Sequence, residues 1–502
     1  MQFRQSTKLF SYLVLLALMM NGCKKVEEIL PPAVKNIEVE FFFLVDGRKL
    51  VKYDMEKPSV QGTPMALSGL ESGEIILAID FRPATGQLYA LGSTSRLYVV
   101  NTLNGQLKAV GTAPFSPVLT GNLSGFDFNP TVDRIRVVTN SGQNLRLNPE
   151  TGTVAATDLP INGPAGASVT SVAYTNNVAG AASTVLYDID VNSDKLFKQD
   201  PPNNGTLVEV GSLGVNFTGE GGFDIAPDNS VALAVYNNFI YYINLENGKA
   251  TKIGGLGNHT NITGIAIRTE PVAYATDEMN NLLIFNPMKP VPVTKPITGL
   301  AAGERIEGID FRPLNGQLYA LSSASRLYTI NASSGAAVAV GTMPFNTLLS
   351  GTAFGFDFNP TVDRIRVVSN MGQNLRLNPE NGAVAAVDGV INPAGSAVTA
   401  VAYTNNFSGA TTTLLYDIDA ATDKLFKQDP PNNGTLVEVG PLGVNVEQTA
   451  GFDIGGTSGK AYALLTVGGT TKIYTVNLTN GSVSPMGTFP KAVTGFAVGL
   501  GF

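Results

Sequence analysis

Residues 125–149, GFDFNPTVDRIRVVTNSGQNLRLNP, return at 355–379 with only two changes, Thr139 to Ser369 and Ser141 to Met371. Residues 194–211, DKLFKQDPPNNGTLVEVG, return unchanged at 423–440. The offsets are 230 and 229, so a tandem duplication of a unit of about 230 residues accounts for most of this 502-residue chain. Whatever the fold, one such unit must either complete it or form half of it.

Each unit is itself periodic. AIDFRP around Asp80, GFDFNP around Asp127 and GFDIAP around Asp224 share one pattern, with SVAYTN around Tyr174 and TGIAIR around Ala266 as degenerate copies. Successive spacings from Asp80 are 47, 47, 50 and 42 residues, and the second unit repeats the series at Asp310, Asp357, Tyr403, Asp453 and Ala497. Within one period, residues 79–82, 87–92, 96–101 and 106–111 are short β-prone runs, separated by the turns PATG, STS and TLNG. Four strands per period of 40 to 50 residues is the blade signature of a β-propeller. The 54 glycines and 29 prolines fit frequent turns and argue against long helices.

The ends of the chain point to ring closure. FFFLVDGRKLVKYDM near the start lacks an innermost strand, whereas VTGFAVGLGF at the end is an innermost strand with no blade behind it. The same strand type, ITGIAIRTEP, lies between the units. The expected fold is therefore all-β, with two tandem five-bladed rings of four-stranded blades. One ten-bladed ring is the alternative, because residues 269–271 are as short as an ordinary hairpin. The expected domains are 37–270 and 271–502.

The runs FRPATGQLYALGSTSRLYVVNTLNG, GFDFNPTVDRIRVVTNSGQNLRLNPETG and LYDIDVNSDKL resemble the bacterial domain of unknown function 4394, present here twice from about Phe41 onward. The resemblance implies a propeller-like repeat and carries over no activity or binding residue.

Residues 1–23 read MQFRQSTKLFSYLVLLALMMNGC: basic Arg4 and Lys8, an apolar stretch from Leu9 to Met20, then Cys23. This is a secretory signal, 1–22, too short to span a bilayer as a mature helix. Its ending resembles a bacterial lipobox, with Asn21 in place of the usual small or aliphatic residue, which implies lipidation of Cys23. Acyl chains contribute about 0.8 kcal/mol per buried CH₂ and would anchor an otherwise soluble domain to the membrane. Residues 23–36, with Lys24, Lys25, Glu27 and Glu28, form a charged tether. The expected location is the bacterial cell envelope, as an outer-membrane lipoprotein facing the periplasm or the surface.

Composition narrows the chemistry. A formal charge of −7 and no basic run beyond Lys24 and Lys25 leave nothing to neutralise a phosphate backbone, which excludes nucleic acid as an expected partner. One His, His259, and one Cys, Cys23, cannot build His/Cys zinc sites or paired-Cys redox motifs. Carboxylate, amide, hydroxyl, Lys and Arg chemistry remains. Asp80, Asp127 and Asp224, copied as Asp310, Asp357 and Asp453, are either buried acceptors tying blades together or an acidic ring that captures a cation or ligand. Arg134 and Arg136, copied as Arg364 and Arg366, offer forked donors suited to carboxylates or sugar hydroxyls, and equally to salt bridges across a blade. DIDVNSD, with Asp188, Asp190, Asn192 and Asp194, imitates the first half of a calcium loop but lacks its Gly and distal Glu, as does DIDAATD at Asp417. A hairpin explains the same letters, so no cofactor is expected, with calcium as the alternative.

Short loops and scarce His and Cys favour a non-enzymatic binding or scaffold module for envelope protein or glycan. The alternative is a propeller hydrolase, lyase or lactonase using carboxylate or metal chemistry at the channel mouth. No catalytic residue is assigned.

Overall fold

The computed structural model describes residues 39–55, 62–256, 259 and 261–502. The expected signal sequence, 1–22, Cys23 and the expected tether, 23–36, lie outside the described residues. The described chain folds into ten four-stranded antiparallel sheets, and its only helical turns are the short 3₁₀ segments Pro202–Asn204 and Pro431–Asn433. Four sheets in each half are formed in chain order from inner to outer strand. The first of these comprises Ile76–Phe81, Leu88–Gly92, Arg96–Val100 and Leu107–Val110.

The fifth sheet of each half is composite, and it decides between one ring and two. Ile262–Ile267 pairs with Glu40–Val45, the first strand of the described chain, in register Phe41 to Ile267 and Phe43 to Ile265. Likewise the terminal strand Gly495–Val498 pairs with Ala273–Thr276, in register Ala273 to Val498. The five innermost strands of each half then neighbour one another in a closed cycle. The protein is thus two tandem five-bladed propellers, each fastened by a strand from the far end of its own unit.

Burial follows position in the blade. The inner strands Ser124–Asn129 and Val169–Tyr174 are buried along nearly their whole length, as expected for strands packed on both faces. The outermost strand Val154–Thr157 alternates between half-buried and exposed. The hydrophobic core is divided into wedges between neighbouring blades, such as Tyr89 and Leu91 against Phe126, Phe128 and Ile135. Glycine opens each G-F-D-F strand for a steric reason. A Cβ on Gly125 would lie 2.8 Å from the Val172 backbone nitrogen of the next blade, and one on Gly355 would meet Val401 at the same distance.

The two rings share one compact unit and one apolar cluster, in which Ala84 of the first ring packs with Val272, Tyr274 and Leu500 of the second. Hydrogen bonds stitch the same surface: the Tyr274 hydroxyl donates to the Ala84 carbonyl at 2.9 Å, and the Gly501 N–H to the Thr85 carbonyl at 2.8 Å. Gly86, at φ +70°, lies so close beneath the Phe502 ring that a side chain there would collide with it.

Candidate functional site

The repeated aspartates sit in the penultimate or third-last position of their inner strands, and each reaches sideways to the next blade. Asp80 accepts the N–H of Phe128 at 2.8 Å, Asp127 that of Tyr174 at 3.1 Å, and Asp224 that of Ile267 at 2.5 Å. In the second ring Asp310 accepts from Phe358 at 2.7 Å, Asp357 from Tyr403 at 3.0 Å, and Asp453 from Val498 at 2.6 Å. Asp80 and Asp224 also accept the N–H of the following residue, as do Asp310 and Asp453. The side chains therefore pin blade to blade. The ladders also refine the repeat register: Ala173 and Ala402, one residue before Tyr174 and Tyr403, occupy the aspartate position in the third blades.

Pinning is only part of the geometry. In each ring the three carboxyl groups converge, and one oxygen from each lies within 4.8 Å of the other two. All six residues are buried. Burial pushes their carboxyls upward, and for Asp80 and Asp127 the neighbouring carboxylates of the same set add to the push. Asp224 and Asp453 are raised to about 7 by burial, against the backbone N–H groups that favour the ionised form. Three hard oxygen donors gathered in this way are of the chemical type that holds calcium or magnesium.

The arginines separate into two roles. Arg136 is buried, and its guanidinium bonds Asn144 Oδ1 at 2.7 Å, Asp158 Oδ2 at 2.6 Å and, in the next blade, Asn203 Oδ1 at 2.7 Å. Arg146 forks onto both oxygens of Asp158 at 2.8 Å. Against the upward push of burial, these two arginines hold Asp158 below the ordinary carboxylate range. Arg366, Asp388 and Arg376 repeat the arrangement. Arg134 and Arg364 are half-buried and turn back to the carbonyls of Asp133 and Asp363, at 2.7 and 2.8 Å. These side-chain hydrogen bonds of Arg134, Arg136, Arg364 and Arg366 go to partners outside the aspartate clusters.

The DIDVNSD segment is a strand end and its turn. Asp190 accepts the N–H groups of Ser168 and Asn192 and the Ser193 hydroxyl, while Asp194 accepts the Phe217 N–H. Asp188 and its copy Asp417 face into the sheet packing with both carboxyl oxygens unpartnered, and burial raises both well above the usual carboxylate range, opposed by Arg136 and Arg366.

Arg82 and its copy Arg312, which the motif reading passed over, carry the most informative difference between the rings. Arg82 forks onto Asp133, with Nε to Oδ1 at 2.9 Å, reaches Glu150 at 3.1 Å, and donates to the Gly316 carbonyl of the second ring at 2.9 Å. Arg82 and Asp133 have side-chain exposures of 0% and 1%. Arg312 repeats the fork on Asp363 and Glu380, but Asp363 is 32% and Glu380 68% exposed. Packing between the rings seals the first network. The second opens on a groove of about 690 Å³ lined by Lys108, Thr112 and Glu150 from the first ring and Arg312, Asn315 and Glu380 from the second. The offset of 230 between Arg82 and Arg312 was the available sequence signal. Only the packing of the rings distinguishes the two copies.

The model of the family described as domain of unknown function (DUF4394) matches this chain twice, at residues 49–266 and 281–497. The chain belongs to that family and carries two tandem copies of its domain. No protein of curated function matches it in sequence. Among solved structures it is similar to the extracellular domain of a hybrid two-component system from B. thetaiotaomicron, at 12% identity and a TM-score of 0.27, over 89% of this chain and 65% of that one. A second structure, the extracellular domain of a one-component system from the same organism, gives 14% identity and a TM-score of 0.24, over 88% of this chain and 59% of that one. The chain thus spans less than two thirds of the length of either. Among the described residues no helix is long and apolar enough to cross a membrane.

Proposed function

We propose that this protein is a non-enzymatic binding module of the bacterial cell envelope, tethered to the outer membrane through lipidated Cys23, that holds envelope protein or glycan in the groove between its two rings. The observation that carries this reading is the contrast between the two arginine networks. Arg82 and Asp133 are closed off as internal structure in the first ring, whereas in the second Asp363 and Glu380 are exposed, and Glu380 with Arg312, itself 5% exposed, lines the cleft. A guanidinium already fixed by Asp363 loses little further freedom when it bonds a ligand, and Glu380 supplies acceptors beside it. Lys108 and Glu150 on the facing wall extend the mixed charge, a lining suited to a polar ligand with both donors and acceptors.

The test is isothermal titration of the folded region, residues 39–502, against a panel of purified envelope polysaccharides and surface polypeptides. A member that binds the wild type should bind the Glu380→Ala protein about 10-fold or more weakly, in line with about 1.5–3 kcal/mol for a hydrogen bond to a charged group. Binding that is indifferent to both Glu380→Ala and Lys108→Ala would remove the groove from consideration. For the anchor, a Cys23→Ser chain should lose its lipid label and leave the membrane fraction.

A further inference from the structure

We infer that the centre of each ring is a binding site for a hard divalent cation, with calcium as the first probe, formed by Asp80, Asp127 and Asp224 with Asn177 in the first ring and by Asp310, Asp357 and Asp453 with Asn406 in the second.

The carboxylates alone would not carry this. The second observation is a buried carboxamide lying against Asp453 in the second ring, with a buried copy at the matching sequence position of the first. Asn406 is 2% exposed; its Nδ2 donates to the Ile454 carbonyl at 3.1 Å and lies 3.4 Å from Asp453 Oδ1, while its own Oδ1 has no partner. Asn177, its counterpart 229 residues earlier, is 1% exposed and has neither Oδ1 nor Nδ2 partnered. A buried acceptor left without a donor costs about 1–3 kcal/mol, and here the same cost recurs at matching positions of both rings. A cation beside the aspartates would satisfy that oxygen.

The rest of the site is consistent with this. Asp80 and Asp224 accept backbone N–H groups on both oxygens, and Asp127 on one, so five donors point at three carboxyl groups. Such donors favour the ionised form. A mutual spread of 4.8 Å or less matches oxygens placed around one ion at calcium–oxygen distances of 2.3–2.6 Å. Each carboxylate oxygen has a second lone pair, so the backbone bonds and the ion do not compete for the same electrons.

The experiment is metal analysis of the purified full chain after equilibration with calcium and exhaustive dialysis. Two calcium ions per chain are expected. Asp127→Asn and Asp357→Asn keep an oxygen for the Tyr174 and Tyr403 N–H groups while removing a charge, so each variant should retain one ion and the double variant none. Terbium provides a reading that needs no variant: tyrosine-sensitised emission should grow to two ions per wild-type chain and be displaced by calcium. A wild-type chain that binds neither ion, its carboxyls being served by protons or buried water alone, overturns the proposal. So does a double variant that folds and still binds two ions, since those would be adventitious surface ions.

Discussion

The duplicated arginine network is its own control, and replacing Asp133 and Asp363 by alanine turns it into a measurement. Asp133→Ala strips the main partner from a guanidinium with no exposed surface, leaving it Glu150 and the Gly316 carbonyl. Breaking a buried ion pair from one side costs about 3–5 kcal/mol, because the surviving charge stays buried and undercompensated. Asp363→Ala removes the same carboxylate at 32% exposure, and Arg312, itself 5% exposed, keeps the 68% exposed Glu380. The loss there should be smaller, about 1–3 kcal/mol, between the ranges for exposed and buried pairs. Both residues have left-handed backbone, at φ 51° and 52°, so the strain of placing alanine there cancels in the comparison. Urea unfolding followed by far-ultraviolet circular dichroism should place the Asp133→Ala protein about 1 kcal/mol or more below the Asp363→Ala protein. Equal losses would mean that packing between the rings does not seal the first network, and the argument for an open second copy would fall with it.

Three further outcomes are expected. Gly125→Ala forces a Cβ to 2.8 Å from the Val172 nitrogen and should cost about 1–3 kcal/mol, whereas Gly254→Ala meets nothing within 4 Å and should be neutral, as thermal midpoints of the two proteins will show. Asp188 and Asp417 have carboxyls raised in the folded state, so the fold holds protons that the unfolded chain releases, and their contribution is lost as pH rises from the ordinary carboxylate range toward the folded value. The Asp188→Asn, Asp417→Asn protein should therefore match the wild type near pH 4 and exceed it in melting temperature at pH 8; a gap that does not change with pH would contradict this. Deleting Phe502 exposes Gly86 and the Ala84 cluster and should lower the melting temperature, with differential scanning calorimetry as the check.

Much of the fold was readable before any coordinates. The period of 42 to 50 residues and the mismatched ends predict four-stranded blades and ring closure because one inner-strand pattern, clearest in GFDFNP, recurs once per period. The choice between one ring and two was not readable, since Thr269 to Pro271 connects strands equally well in either topology; the pairing of Ile262–Ile267 with Glu40–Val45 resolves it. Alternation exposed the aspartates as a set, but their convergence depends on how five strands lean around an axis, which spacing does not encode. Asn177 and Asn406 escaped notice because an asparagine in a turn after a strand is the usual turn residue, and only burial without a partner sets these two apart. Arg82 was hidden in the same way: its role comes from the neighbouring ring, and a local motif carries no trace of that.

The central claim is that each half closes on itself, and disulfide trapping tests it most directly. In a Cys23→Ser background, cysteines at Glu40 and Arg268, whose backbones are joined by a 3.1 Å hydrogen bond, should oxidise to an intrachain link. The same holds for cysteines at Thr276 and Thr494, whose hydroxyls lie 3.0 Å apart. The two-ring account predicts both links in monomeric protein, each identified by mass spectrometry of the joined peptides. A single ten-bladed ring would instead set Glu40 beside the terminal strand and Gly264 beside Thr276, by the equivalence of Gly264 with Gly495, so a chain in which neither pair links, while cysteines at Gly264 and Thr276 do, would contradict the account.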